Sequence, residues 1–175
     1  NFLVMASSTK VTTETMDEFR KLPKNKQDEV KDIGGFVAGE LRDGKRKNGF
    51  VEYRSMITLD LDYASSSLWD EITMFYGFRC CIYSTHKHTS EKPRLRLIIP
   101  LARNVNSDEY TAVSRLIASD IGIDQFDDTT YEATRLMYWP STSCDGEFVF
   151  EHQDGELLDP DKMLSRYKDW RDRNE

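Results

Sequence analysis

From residue 50 onward the hydrophobic period of this chain switches between about two and about 3.6 residues, in the order strand, helix, strand, strand, helix, strand. The opening strand, within 50–62, contains "ITLDLDY". "SSSLWDEITMFYGF" follows, with capping serines and Leu68, Ile72 and Phe75 at helical spacing. "RCCIYSTH" and "RLRLIIPL" read as strands joined by the loop "KHTSEKP". "NSDEYTAVSRLIASDIG" is a helix whose Asn106 and Glu109 have capping-box spacing and which Gly122 stops. "TRLMYWP" supplies the last strand. This is the split βαβ order of ferredoxin-like and RNA-recognition-like folds, in which the first and third strands adjoin at the sheet centre. The expected class is α+β, an RNA-recognition-like sheet preceded by helices and a hairpin.

The helices that precede it are "TETMDEFRKL", with Thr13 as cap and Met16, Phe19 and Leu22 along one face, and "KNKQDEVKDI" after Pro23. A hairpin of strands 35–42 and 50–62 turns through Gly44, Asn48 and Gly49. Residues 1–12 are expected to be disordered or foreign to the fold, and residues 13–158 to form one domain. A strand "EFVFEHQ" and a turn at Gly155 lead to a terminal helix near 160–172, in a segment 159–175 that links to a downstream region.

With 24 basic and 31 acidic residues the net charge is −7, which argues against a domain built for tight, nonspecific nucleic-acid binding. It leaves room for nucleotide chemistry at one focused site. No run of 18 apolar residues is present to span a membrane, and no GxxxxGK[ST] phosphate loop is present. Cys80, Cys81 and Cys144 lack zinc spacing and read as reduced core thiols of a cytoplasmic protein.

Aspartate is depleted in strands, so "ITLDLDY" needs a reason. Alternation puts Ile57, Leu59 and Leu61 on one face and Thr58, Asp60 and Asp62 on the other, the two carboxylates with Cα atoms about 7 Å apart. Like charges so placed are relieved by a cation, and oxygen ligands suit Mg²⁺ or Mn²⁺. On "YSTH", Ser84 and His86 share a face where strand gives way to loop, and can donate hydrogen bonds to a triphosphate. Arg94 and Arg96 return on the adjoining strand, and Arg96 is suited to phosphate. His88 and Arg94 read as solvated surface residues. In "IDQFDDTTYEATRLMYWPS", Asp124, Asp127 and Asp128 precede Arg135. Lys45, Arg46 and Lys47 form a basic hairpin tip able to follow a nucleic-acid backbone.

Taken together, "ITLDLD", "YSTH" and "FDDTTYEATRLMYWPS", in this order, resemble the archaeo-eukaryotic primase superfamily. The likeness is to primase-polymerase domains of bacteriophage and plasmid replication proteins, and covers about residues 34–145. The resemblance implies that Asp60, Asp62 and Asp127 (alternate Asp128) are catalytic metal ligands for two Mg²⁺ or Mn²⁺ ions. It implies that Ser84, His86, Arg96 and Arg135 bind the nucleotide. Tyr138 stands where many members carry a second arginine, a contact then missing or supplied by Arg96. The implied partners are nucleoside triphosphates, a single-stranded DNA template with its primer, and a helicase region of the same protein, in the cytoplasm of a bacterial host. Two other readings are a His-x-His replication initiator, using "HKH" at 86–88 with Tyr110 or Tyr167 as nucleophile, and a non-catalytic nucleic-acid or protein-binding module.

Overall fold

The computed structural model describes residues 1–172. Asn1 caps a short helix, α1 (Phe2–Ala6), and β1 (Lys10–Val11) follows it. Next come α2 (Met16–Lys21) and α3 (Lys24–Lys31), parted by Pro23. Thr15, rather than Thr13, caps α2, because Glu18 three residues on closes the reciprocal box with it. Then β2 (Gly35–Phe36), β3 (Gly39–Leu41) and β4 (Val51–Leu61) lead to α4 (Leu68–Phe75). After it come β5 (Cys80–Ser84), β6 (Leu95–Val105) and α5 (Ser107–Ile121), with Asn106 and Glu109 forming the expected capping box. The chain closes with β7 (Met137–Tyr138), β8 (Ser141–Thr142), β9 (Phe150–Gln153) and α6 (Pro160–Leu164).

The main sheet has the order β3-β4-β6-β5-β9, so the first and third strands of the split unit adjoin at its centre as the pattern predicts. Ile57, Leu59 and Leu61 of β4, with Leu97 and Ile99 of β6 and Ile82 of β5, face Leu68 and Ile72 of α4 and Val113 and Ile117 of α5. Each such side chain contributes about 1.5–3 kcal/mol on burial. Phe75 is not part of this layer: at the end of α4 it is 72% exposed.

The fourth strand departs from expectation. "TRLMYWP" yields only β7, which pairs with β2 outside the main sheet. The position beside β4 is filled instead, at one end by β3 and at the other by a turn at Asp128–Tyr131. There the Asp127 N–H donates to the Asp60 carbonyl at 3.0 Å, and the Asp60 N–H donates to Thr130 Oγ1 at 2.7 Å. The Tyr110 hydroxyl donates to the Thr58 carbonyl at 2.9 Å. With its edge groups satisfied, β4 needs no further strand. On the far side, β9 pairs antiparallel with β5. At Gly39 a Cβ would overlap the Tyr53 carbonyl, so only glycine lets β3 approach β4 this closely.

Residues 1–12, expected to be disordered, fold onto the sheet face opposite α4 and α5. Ala6 is fully buried with Cys81, Tyr83 and Ile98, and the Phe2 ring meets Phe36 and Trp139 at 5.1 and 5.5 Å. β1 pairs parallel with β8. Within "FLVM" only Phe2 packs in this way, while Leu3, Val4 and Met5 remain exposed. The terminal helix is shorter than expected, ending at Leu164, after which the Tyr167 hydroxyl donates to the Ala112 carbonyl of α5 at 2.7 Å. The last three residues of the expected segment 159–175 lie outside the described residues.

Arg54 joins these layers. It is 0% exposed, and donates to the carbonyls of Ala38 and Ala133 at 2.9 and 2.7 Å and to Thr58 Oγ1 at 2.8 Å, stacked 4.3 Å from the Tyr110 ring. Replacing it leaves several buried acceptors unpaired. Arg54→Met is expected to lower stability by about 3 kcal/mol, read as a fall in urea midpoint with an unchanged denaturant slope.

Candidate functional site

Asp60 is the last but one residue of β4, and its register partner on β6 is Arg96, itself opposite Tyr83 of β5. Residues opposite one another share a face, so these three lie on the side away from α4 and α5. Arg96 Nε donates to Asp60 Oδ1 at 2.7 Å, and its Nη1 donates to the Tyr138 carbonyl at 2.6 Å. Arg135 Nη2 stands 3.3 Å from Asp60 Oδ2 and 3.9 Å from Asp127 Oδ2. One step outward, Arg94 Nη1 pairs with Asp62 Oδ1 at 3.2 Å. Asp60, Asp62 and Asp127 thus sit at one sheet corner among three arginines.

Burial sets the character of these pairs. The Asp60 and Arg96 side chains are 6% and 12% exposed, whereas Asp62 and Arg94 are 35% and 34% exposed. Burial works against the charge of Arg96, but Asp60 and Tyr83 outweigh it and raise its pKa. For Asp127, burial pushes upward, yet hydrogen bonds from Thr129 and the charge of Arg135 hold its carboxyl below the usual range.

The backbone bond from Asp127 to Asp60 puts the third acid at this corner, while Asp124 and Asp128 are exposed. Carboxylates of this kind are the hard oxygen donors that Mg²⁺ and Mn²⁺ take. In this structure their charge is balanced by guanidinium groups. Among the described residues no three His, Cys, Asp or Glu side chains converge as a metal-holding group.

Ser84 and His86 do not act as a pair. Ser84 is in register with Leu95 and Leu61, on the helix-covered face, and its Oγ accepts the Val149 N–H at 2.9 Å. His86, beyond the strand end, turns to the other side, where Lys31, Arg96, Tyr138 and Ser141 line a small cleft of about 20 Å³ with it. Its ring nitrogens are both engaged, Nδ1 with Ser141 Oγ at 2.9 Å and Nε2 with Glu14 Oε1 at 3.1 Å. His88 is buried rather than solvated: its Nδ1 accepts the Arg94 N–H at 3.1 Å. With each histidine committed, and Tyr110 and Tyr167 bonded to the Thr58 and Ala112 carbonyls, the geometry lends no support to a His-x-His nuclease. Nor does it favour base stacking on the sheet, since Tyr83 is covered and packs with Phe36 and Phe150.

At the hairpin tip, Lys45 and Lys47 lie 6.0 and 5.7 Å from the Phe50 ring centre, and Arg46 Nη1 reaches the Thr134 carbonyl at 3.4 Å. The basic tip therefore abuts the residue before Arg135. Lys31 and Ser141, which line the cleft, and Glu14, which meets His86, are residues to which the motifs assign no role. Ser141 closes the third motif, whereas Lys31 and Glu14 have no signal but placement, since packing brings them to His86 from a distant part of the chain.

A family model described as the VapE N-terminal domain matches residues 1–175. The chain belongs to the VapE N-terminal domain family. Curated proteins give no match. Among solved structures, the domain is similar to the AEP domain (PP-N190) of the cyanophage S-2L primase-polymerase (PrimPol). The TM-score is 0.54 at 16% identity, covering 82% of this chain and 76% of that one. That likeness establishes the archaeo-eukaryotic primase fold for this VapE N-terminal domain, as the three motifs imply. Among its described residues no helix is long and apolar enough to cross a membrane.

The two cross-strand pairs should differ sharply when broken. Arg96→Met strands a buried carboxylate and is expected to cost about 3–5 kcal/mol. Arg94→Met, at a pair screened by solvent, should cost under about 1 kcal/mol. Urea titrations of both variants, with Asp60→Asn added to Arg96→Met to recover part of the loss, check this ordering.

Proposed function

We propose that this domain is a template-directed nucleotidyltransferase, the primase-polymerase unit of a mobile-element replication protein acting in the bacterial cytoplasm. The observation that carries the reading is the ion-paired corner of the sheet where Asp60 meets Arg96 and Arg135, Asp127 lies 3.9 Å from Arg135, and Asp62 pairs with Arg94 one step outward. Its substrates are nucleoside triphosphates, its partners a single-stranded DNA template with primer and a helicase region of the same protein.

Mg²⁺ or Mn²⁺ ions held by Asp60, Asp62 and Asp127, with Asp128 as the alternate third ligand, would supply a lowered pKa at the attacking 3′-hydroxyl and neutralisation of the leaving pyrophosphate. The chain's own part is to fix charge and geometry. Arg96 is held in place by Asp60 and the Tyr138 carbonyl, so its planar fork is preorganised beside the cleft. Arg135, half-exposed, brings a second guanidinium to the same edge. Both match phosphate oxygens by charge and shape. Lys45, Arg46 and Lys47, on a tip that reaches the residue before Arg135, are the basic groups this reading assigns to the template backbone.

Extension of a labelled primer, with dNTPs or NTPs in Mg²⁺ and in Mn²⁺, tests the reading. Asp60→Asn with Asp62→Asn should reduce extension at least about 100-fold in a folded protein, the scale expected when charge stabilisation of a transition state is lost. A folded wild-type domain that neither extends a primer, nor makes a dinucleotide, nor binds nucleotide with metal would overturn it. Replacing Lys45, Arg46 and Lys47 together with alanine should weaken single-stranded DNA binding uniformly across sequences. The slope of log K against log salt should fall by about 2, and fluorescence anisotropy at several salt concentrations measures it.

A further inference from the structure

Beside the cleft runs a buried polar chain whose hydrogen-bond directions follow from the chemistry of its members. Glu14 meets His86 Nε2 at 3.1 Å, Ser143 Oγ lies 3.2 Å from the same nitrogen, and His86 Nδ1 meets Ser141 Oγ at 2.9 Å. Burial raises the Glu14 carboxyl, but the Thr12 hydroxyl, a backbone bond and His86 bring it below its ordinary value, so it is ionised at neutral pH. An ionised carboxylate can only accept, which puts a proton on Nε2. Burial first, then the charges of Lys31 and Lys87, hold His86 below the ordinary histidine value against the pull of Glu14. The ring is therefore neutral at pH 7, and Nδ1 carries a lone pair.

The consequence falls on Ser141. Its O–H must point at Nδ1, leaving only lone pairs for the cleft, a poor greeting for an anion. Protonation of His86 reverses this bond: Nδ1–H donates to Ser141 Oγ, and the hydroxyl proton is released toward the cleft. A volume of about 20 Å³ admits one oxygen atom. Lys31 and Arg96 line the same space and would draw a phosphoryl oxygen into it. The His86 side chain, 1% exposed and bonded at both nitrogens, acts through Ser141 rather than on the ligand.

We infer that Ser141 is a phosphate-binding hydroxyl of this cleft, with His86 and Glu14 as its positioning residues, and that binding a nucleoside triphosphate draws one proton onto His86. This rests on the nucleotide-handling reading above. The charged groups that face His86 are Glu14 from the segment after β1, Lys31 from α3 and Lys87 from its own loop, with Arg96 across the cleft. The sign follows directly. Because the bound state prefers protonated His86, affinity rises as pH falls from 8 toward 6, by up to about tenfold per unit.

The test is calorimetric titration of a non-hydrolysable nucleoside triphosphate with Mn²⁺, at pH 6, 7 and 8, in buffers of differing ionisation enthalpy. Wild type, Ser141→Ala, Ser141→Cys and Glu14→Gln are compared, with ¹⁵N NMR of the His86 ring. Expected are uptake of close to one proton by wild type and about tenfold weaker binding by Ser141→Ala. In Glu14→Gln the pH response should move to lower pH, because the charge that supports protonated His86 is gone. In the free protein at pH 7 the ring should be protonated at Nε2 alone, and at both nitrogens when saturated with nucleotide. If Ser141→Ala does not fold, Ser141→Cys, a weaker donor of similar size, carries the comparison. Binding without proton uptake, full affinity in the Ser141 variants, or a free ring protonated at Nδ1 each sinks the inference and leaves the proposed function standing. No binding by wild type at any pH overturns both.

Discussion

One residue holds the geometry of this domain together. Asp60 donates its N–H to Thr130, accepts the Asp127 N–H at its carbonyl, and offers its two carboxylate oxygens to Arg96 and Arg135. The backbone bonds close the open edge of β4 and bring Asp127 to the corner. The side-chain bonds tie β4 to β6 and to Arg135 in the segment between the turn and β7. Removing water from a carboxylate costs several kcal/mol, so this site persists only while its partners remain in place. Fold and candidate site are therefore one arrangement.

Much of the scaffold is legible in sequence because it rests on local pattern. Alternation in "ITLDLDY" gives the correct faces of β4, and the Asn106–Glu109 box gives the start of α5. "TRLMYWP" misleads for a physical reason: it has strand composition, but the edge it would pair with is already filled by the turn at Asp128–Tyr131 and by β3. Ser84 and His86 fail as a pair because alternation ends with β5 at Ser84, so the residue two further on is free to turn either way. His88 looks solvated as a loop residue but is buried, with its Nδ1 accepting the Arg94 N–H. No local pattern encodes such contacts.

The site's electrostatics bear on the tension between an acidic chain and the phosphate-bearing ligand proposed for it. The net charge of −7 is spread over the surface, while Arg94, Arg96, Arg135 and Lys31 gather near one corner and its cleft. Screening over a Debye length of about 8 Å makes the distant acidic surface count for little against cations this close to a bound anion. Focused positive charge in a negative protein disfavours nonspecific DNA binding, and would leave one place for the polyphosphate of the proposed substrate.

The N-terminal segment changes what counts as the site. β1 lies parallel to β8, and that pairing places Ser141 and Thr142 beside the residues that lead to Glu14. Glu14 then reaches His86, and α3 brings Lys31 to the same cleft. The split βαβ unit by itself would present the acids and arginines of its sheet with no second wall. Elements outside that unit supply the wall, so residues that begin as a helical preface in the sequence end as the far side of the cleft. The same logic explains why α1 is held by an aromatic cluster of Phe2, Phe36 and Trp139: loosening it would release β1, and with β1 the carboxylate that sets the His86 tautomer.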